Sequence, residues 1–228
     1  YIRELGLKLK YVVNTHVHAD HVSGSGLLKK RFADHDCKSV ISKVSGALAD
    51  ITLDPYEMLL LGNDDTTDVP ALFATESNSS DATDGSHASK EGTASPIGII
   101  GLPTPGHTNG CYSFLMSDFS RVFTGDALLV RGCGRTDFQQ GNSELLYRSV
   151  QDELFTLPDH TYVCPAHDYK GFHESTIGEE RVMNPRLGNG KTVDEFRSIM
   201  SNLNLQRPGK IDVALPLNLV CGLQENLV

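Results

Sequence analysis

The chain has 228 residues, of which 39% are hydrophobic and 21% are charged, as in an ordinary water-soluble globular protein. Its formal net charge is −9 at pH 7, which argues against nucleic-acid binding, because that function rests on clustered Lys and Arg. No apolar run approaches the roughly 18 residues that a membrane-spanning helix requires. We therefore expect a protein that binds neither nucleic acid nor a membrane.

The cysteines argue for a reducing compartment. There are five, and no two of them form a Cys-x-x-Cys pair: Cys37, Cys111, Cys133, Cys164 and Cys221. An odd number without paired spacing matches neither a disulfide framework nor a thiolate zinc site. We expect most of them to be small buried hydrophobic residues.

Predicted strands and helices alternate along the chain, which is typical of an α/β fold. Residues 1–6 have the pattern of a helix end, residues 9–14 that of a buried strand, and residues 19–33 that of a helix. Further strands are predicted within 38–50, 56–62, 97–102, 111–117, 120–129 and 161–168, and further helices within 143–157, 175–185 and 192–203.

Residues 64–96 differ in kind from the rest of the chain. They are rich in Ser, Thr, Asp, Gly and Ala, with almost no hydrophobic periodicity after Phe73. Such a segment buries too little apolar surface to offset its ordering entropy. We predict a disordered low-complexity insertion within a single domain that spans residues 1–228.

Metal-capable side chains follow the ends of separate predicted strands. They are His16, His18, Asp20 and His21 after the first strand, His107 after 97–102, Asp126 after 120–125, and His167 with Asp168 after 161–166. Ligand sites in open α/β sheets gather at the carboxyl ends of strands, and histidine with carboxylate suits divalent metals. Any one of these residues alone is more often a helix cap or a core histidine, but the set predicts a metal centre.

The first four of these residues divide into two pairs. His16 and His18 lie two positions apart in a loop, so they can point at neighbouring positions around one metal. Asp20 and His21 are predicted to lie in the first turn of the following helix, facing a second position nearby.

The segment THVHADH, residues 15–21, resembles the Thr-His-x-His-x-Asp-His motif of the metallo-β-lactamase superfamily, and His107, Asp126 and His167 match its remaining ligands. This resemblance implies an αββα sandwich, but the superfamily catalyses several reactions. Four further segments are similar to the persulfide dioxygenase family, which is related to glyoxalase II: 123–141, 162–172, 178–187 and 201–218.

The persulfide dioxygenase resemblance implies one Fe(2+) per chain, held by His16, His107 and Asp126. Two histidines and one carboxylate form the triad found in non-haem iron oxygenases. The implied reaction oxidises glutathione persulfide with O2 to sulfite and glutathione. The residues left over would support these ligands or form a vestigial second metal site: His18, Asp20, His21 and His167.

Glutathione carries two carboxylates, so its site should offer cations. Arg131, Arg135 and Arg186, together with Tyr169, are the residues that we expect to bind the substrate. A guanidinium group suits a carboxylate, although structural salt bridges are the alternative role for these arginines.

Two other functions stay open at this point. A glyoxalase II-type thioester hydrolase would use the same residues to hold two metals, with Asp126 bridging them. A non-catalytic protein with the metallo-β-lactamase fold is the second alternative, against which the intact ligand set argues.

The resemblance also implies a mitochondrial location and a homodimer. The family normally begins with strands that would precede Tyr1. We therefore expect an N-terminally truncated chain that lacks these strands.

Overall fold

Two β-sheets with helices around them make up the part of the chain that the computed structural model describes, residues 1–61 and 97–222. The insertion predicted at 64–96 lies outside these residues. Within them, no helix is long and apolar enough to cross a bilayer.

The first sheet has three parallel strands, in the order β1 (Tyr11–Val13), β2 (Lys38–Ser42) and β3 (Ile51–Leu53). The central strand β2 is buried along most of its length, as strands of parallel sheets commonly are. Helix α1 (Ser25–Arg31) connects β1 to β2, as a parallel pair requires.

The second sheet has six strands in chain order: β4 (Met58–Leu60), β5 (Gly98–Pro103), β6 (Tyr112–Met116), β7 (Arg121–Gly125), β8 (Tyr162–Pro165) and β9 (Ser175–Thr176). Neighbouring strands are antiparallel except β7 and β8, which are parallel. The crossover between those two contains α2 (Ser143–Ser149), which continues into a π-helical turn at Val150–Leu154.

Three helices complete the described chain: α3 (Ile177–Met183), α4 (Val193–Ser201) and α5 (Ile211–Asn218). Thr192 and Glu195 form a capping box at the start of α4, and the side chain of Thr176 caps α3. Helix α5 contains Pro216, and proline is disfavoured in the interior of a helix. The sequence pattern did not predict this helix.

The core shows that the two sheets pack face to face between helices. Val40 and Leu53 of the first sheet contact a cluster that includes Ile99 and Phe114 of the second. On the far side of the second sheet, a larger cluster packs strands against helices; its fully buried members include Leu115, Val122, Leu146 and Phe196. Phe32, directly after α1, packs on Val12 outside the first sheet. These layers are the predicted αββα sandwich.

Two local predictions were wrong. Residues 2–6 form turns and not the end of a regular helix, with one helical hydrogen bond from Leu5 N–H to the Tyr1 carbonyl. Helix α1 begins at Ser25, so Asp20 and His21 precede the helix. Backbone groups of their segment form hydrogen bonds to the side chain of Asn218 in α5 and not to one another in a helical pattern.

Candidate metal centre

The ends of four strands converge at one edge of the sandwich. His16 and His18 follow β1 of the first sheet, whereas His107, Asp126 and His167 follow β5, β7 and β8 of the second sheet. The two sheets are tied together beside this edge, because Tyr112 N–H donates a 2.9 Å hydrogen bond to the Thr15 carbonyl.

His16, His107 and Asp126 form a compact group whose ligand atoms all lie within 4.8 Å of one another. The Asp126 Oδ2 atom lies 3.4 Å from His107 Nε2 and 4.0 Å from His16 Nε2. Ligands that each sit about 2.1 Å from one metal are about 3 Å apart. The group is therefore arranged for one cation, with slight contraction on binding.

Hydrogen bonds on the far side of each imidazole orient the ring. His107 Nδ1 lies 2.7 Å from the Arg135 carbonyl, to which it can only donate, so Nε2 is left with its lone pair facing Asp126. His16 Nδ1 lies 3.0 Å from Thr15 Oγ1. Such outer contacts commonly fix the tautomer and orientation of metal-binding histidines.

The group also contains polar atoms that nothing else satisfies. Among the described residues, His16 Nε2 and Asp126 Oδ1 are buried without a hydrogen-bond partner. An unpaired buried polar atom costs about 1–3 kcal/mol. A cation beside Asp126 Oδ2 would give His16 Nε2 its missing partner, and Asp126 Oδ1 faces His167 on the other side, so these residues fit a divalent metal.

The electrostatics keep the histidines in the form that binds metal. Burial, followed by the neighbouring His18 and His107, lowers the pKa of His16 well below its usual value. Burial likewise lowers the pKa of His18, to about 4. Burial raises the pKa of Asp126, although His107 and His167 act against that rise. Neutral imidazole is the species that ligates metals.

A second group of potential ligands lies beside the first. The ligand atoms of His18, Asp20 and His21 lie within 4.8 Å of one another. His167 Nε2 is 3.2 Å from Asp20 Oδ2 and 3.7 Å from Asp126 Oδ1, so Asp126 lies between the two groups. The residues proposed from the sequence as supporting groups or as a second metal site therefore lie close together beside the triad.

A cavity of about 570 Å³ opens beside Asp126 and His107. All four residues that the sequence predicts for substrate binding line it: Arg131, Arg135, Tyr169 and Arg186. Lys170 and Phe138 line it as well; neither was predicted as a site residue, although both lie in segments that resemble persulfide dioxygenases. The structure therefore brings every predicted site residue to one edge of the sandwich.

The three arginines are already engaged to different degrees. The guanidinium of Arg131 pairs with Glu179 and the buried Glu180, which is the structural alternative weighed from the sequence. Arg135 Nε and Nη2 donate to Asp137 at 2.6 and 2.7 Å. Arg186 Nη1 donates to the Cys133 carbonyl at 3.0 Å. Their binding of substrate stays a prediction.

The tyrosine at the cavity rim is placed differently. Tyr169 is 76% exposed and its ring stacks on the ring of His167, with centroids 5.3 Å apart. This stacking links the rim of the cavity directly to the metal-capable residues.

The close packing of Gly134 against the centre explains why that position has no side chain. A Cβ atom there would lie 2.5 Å from the Asp126 carbonyl oxygen and 2.9 Å from His107 Nδ1. The turn that contains Gly134 therefore supports two of the three triad residues by direct contact.

Comparison with known proteins identifies the family of the chain. The family model of the metallo-beta-lactamase superfamily matches residues 1–167. The mitochondrial persulfide dioxygenase ETHE1 of Homo sapiens is 46% identical over 223 residues, which are 98% of this chain and 73% of the human protein. The chain belongs to the persulfide dioxygenase family of the metallo-β-lactamase superfamily. The mouse persulfide dioxygenase is 45% identical over the same shares.

A solved structure supports the family at the level of the fold. The crystal structure of ETHE1 from Myxococcus xanthus superposes with a TM-score of 0.77 and 41% identity, covering 97% of this chain and 81% of that one. A Staphylococcus aureus metallo-beta-lactamase superposes with a TM-score of 0.74, although it is only 20% identical. The fold is thus shared with a protein of low sequence identity, whereas the human and mouse persulfide dioxygenases are 46% and 45% identical to this chain.

Proposed function

We propose that the protein is a persulfide dioxygenase that oxidises glutathione persulfide with O2 to sulfite and glutathione. The observation that carries this proposal is the convergence of His16, His107 and Asp126, with unsatisfied ligand atoms, in a chain 46% identical to a persulfide dioxygenase. Fold alone would not distinguish this reaction from others of the superfamily.

The triad would hold one Fe(2+) per chain. His16 and His107 would offer Nε2, and Asp126 would offer a carboxylate oxygen. Bound there, Fe(2+) would supply the redox chemistry that joins O2 to sulfur. Within the protein, the Arg135 carbonyl keeps His107 in the required tautomer, and burial keeps His16 neutral.

The overall reaction requires a pocket for a tripeptide persulfide. Both atoms of O2 end on the terminal sulfur, the S–S bond breaks on attack by water, and glutathione leaves as its thiol with sulfite released. A 570 Å³ cavity falls in the range of small-molecule sites. The cationic groups of Arg186 and Lys170 on its wall suit the two carboxylates of glutathione.

A dinuclear thioester hydrolase is the second candidate, because a second set of ligands is in place. His18, Asp20 and His21 are clustered, and His167 lies near both Asp20 and Asp126. In the persulfide dioxygenase proposal these residues surround the triad and carry no metal of their own.

Oxygen uptake tests the proposal directly. We expect the iron-loaded protein to consume O2 and release sulfite when glutathione persulfide is added, and His107→Ala to abolish both. His160→Ala, which changes an exposed histidine outside the site, is the matched control and should retain full activity. Sulfite release that survives in His107→Ala would contradict the proposed triad.

We further propose a mitochondrial location and a homodimeric state. Support for the location comes from relatives that are named as mitochondrial. The homodimer rests on the family resemblance alone, and sedimentation velocity measures it.

A further inference from the structure

The segment His16–Gly24, here called the motif loop, carries three metal-capable histidines and Asp20 without regular secondary structure. A loop with no helical or sheet hydrogen bonds must find partners for its buried backbone groups elsewhere. Gln139 Nε2 donates to the Val17 carbonyl at 2.8 Å, and three further partners lie about two hundred residues along the chain, at the end of α5.

The side chain of Asn218, at the end of α5, makes three hydrogen bonds to the motif loop. Its Nδ2 group donates to the carbonyls of His18 and His21, each at 2.8 Å. Its Oδ1 atom accepts from Ser23 N–H, also at 2.8 Å. Asn218 is only 4% exposed, so water does not compete well for these bonds.

The turn after α5 reinforces this contact. The Cys221 carbonyl accepts a 2.8 Å hydrogen bond from Gly26 N–H, at the start of α1. A Cβ atom at Gly222 would lie 2.1 Å from the Ser23 carbonyl oxygen, so the two backbones touch. Leu215 of α5 packs on the cluster of Val17, Ile41 and Ala47 below the loop.

We propose that Asn218 is a positioning residue for the metal centre. By holding the carbonyls of His18 and His21 together, its amide fixes the turn between them and directs His18, Asp20 and His21 towards His167. Asn218 touches neither the triad nor the cavity wall and acts only through the backbone of the motif loop. This inference rests on the proposed metal site and adds a support to it from the C-terminal helix.

The bonding pattern requires an amide at this position. An aspartate has nearly the same shape and would still accept from Ser23 N–H. It would, however, replace a donor with an oxygen that faces two carbonyl oxygens, and such a contact is repulsive. Asn218→Asp therefore removes the two bonds to the histidine carbonyls while leaving the third bond in place.

Amide hydrogen exchange of the metal-free full chain is the test, since it does not depend on persulfide oxidation. We expect Asn218→Asp to speed exchange in peptides covering residues 16–26 at least tenfold, with the core strands β6 and β7 unchanged. Leu154→Ala, which removes a buried side chain from the far side of the second sheet, is the control. It should lower thermal stability without selective loss of protection in residues 16–26.

Exchange at Ser23 N–H of the wild-type protein provides a second measurement, which does not require the variant to fold. In the wild-type protein, Ser23 N–H should exchange much more slowly than an unstructured amide, because Asn218 accepts from it. Co(2+) should also bind Asn218→Asp more weakly than wild type, with an altered visible absorption spectrum. Fast exchange at Ser23 in the wild type would overturn the proposal. The proposal would also be overturned if Asn218→Asp lost protection uniformly along the whole chain and its Co(2+) spectrum matched that of the wild type.

Discussion

Single side chains at the centre are held in the protonation state and orientation that a metal needs, at some cost to the metal-free protein. Burial raises the pKa of Asp126 and lowers that of His16, while His16 Nε2 and Asp126 Oδ1 lack partners among the described residues. A bound cation would give His16 Nε2 a partner and would favour the charged carboxylate of Asp126, whereas the lowered pKa of His16 already favours its neutral, metal-binding form.

A single methyl group should disrupt the centre without changing any charge. Gly134→Ala places a Cβ atom against Asp126 and His107, so we expect weaker metal binding and a fall in activity of about 100-fold. Gly132→Ala is the matched control in the same turn, because its nearest neighbour, Leu129 Cβ, is 4.0 Å away. Metal titration and O2 uptake of both variants measure the effect. Equal losses in the two would contradict the steric account.

The buried histidines predict how stability of the metal-free protein depends on pH. In the folded chain the pKa of His18 is lowered to about 4 from 6.5, so the unfolded chain binds its proton more readily. The free energy of unfolding should therefore fall as pH drops from 6.5 towards 4, by about 3 kcal/mol from His18 alone. The pKa of His16 shifts in the same direction. Urea unfolding across this range is the measurement, and His18→Gln should flatten the slope.

At the level of elements, strand ends were predictable and helix starts were less so. The alternation of apolar runs with polar residues located β1, β5, β7 and β8, and the metal-capable residues follow those strands as predicted. The predicted start of α1 was too early. The hydrogen bonds of Asn218 to the residues before α1 join distant parts of the chain, so the local sequence could not indicate them. Pro216 also hid α5, so its contribution could not be derived from local sequence.

The turn between Asp126 and Gly134 depends on a second long-range support, which comes from α3. The fully buried Glu180 pairs with Arg131 and also accepts from Arg131 N–H at 2.9 Å and from Asn184 Nδ2 at 2.8 Å. Asn184 in turn donates to the Gly132 carbonyl at 3.0 Å. Helix α3 thereby holds Arg131 and Gly132 of the cavity wall through Glu180, a side chain that does not itself line the cavity.

Removal of this buried carboxylate should be costly. We expect Glu180→Ala to lower the free energy of unfolding by about 3 kcal/mol, since it leaves the backbone N–H and the Nη1 group of Arg131 without their buried acceptor. Glu179→Ala removes the other, partly exposed carboxylate of Arg131 and should cost less than about 1 kcal/mol. Chemical denaturation of the two variants compares them. A smaller loss in Glu180→Ala than in Glu179→Ala would contradict this account.

At the scale of the whole molecule, the site lies where both sheets of the sandwich meet. The first sheet contributes His16 and the second contributes His107 and Asp126, so a metal held by all three links the two sheets. The layers and the convergence of ligands could be predicted from sequence. A structural salt bridge of Arg131 was one of the roles considered from the sequence, but the identity of its two carboxylate partners could not be predicted, because they lie about fifty residues away.

Metal should therefore stabilise the fold as well as the site. At a free concentration 100 times the dissociation constant, binding to the native state alone adds about 2.7 kcal/mol. We expect a chelator to lower the melting temperature of the wild-type protein and to leave that of His16→Ala unchanged. Calorimetry with and without chelator measures both. A chelator effect that persists in His16→Ala would place the metal elsewhere.

The most direct test of the central claim is to count metals and follow products in one preparation of the purified protein. We predict one iron per chain, with O2 consumed and sulfite released from glutathione persulfide in equal amounts. The contrary result is two metals per chain, no O2 uptake with the persulfide, and hydrolysis of S-lactoylglutathione. That outcome would assign His18, Asp20, His21 and His167 to a second metal and the protein to thioester hydrolysis.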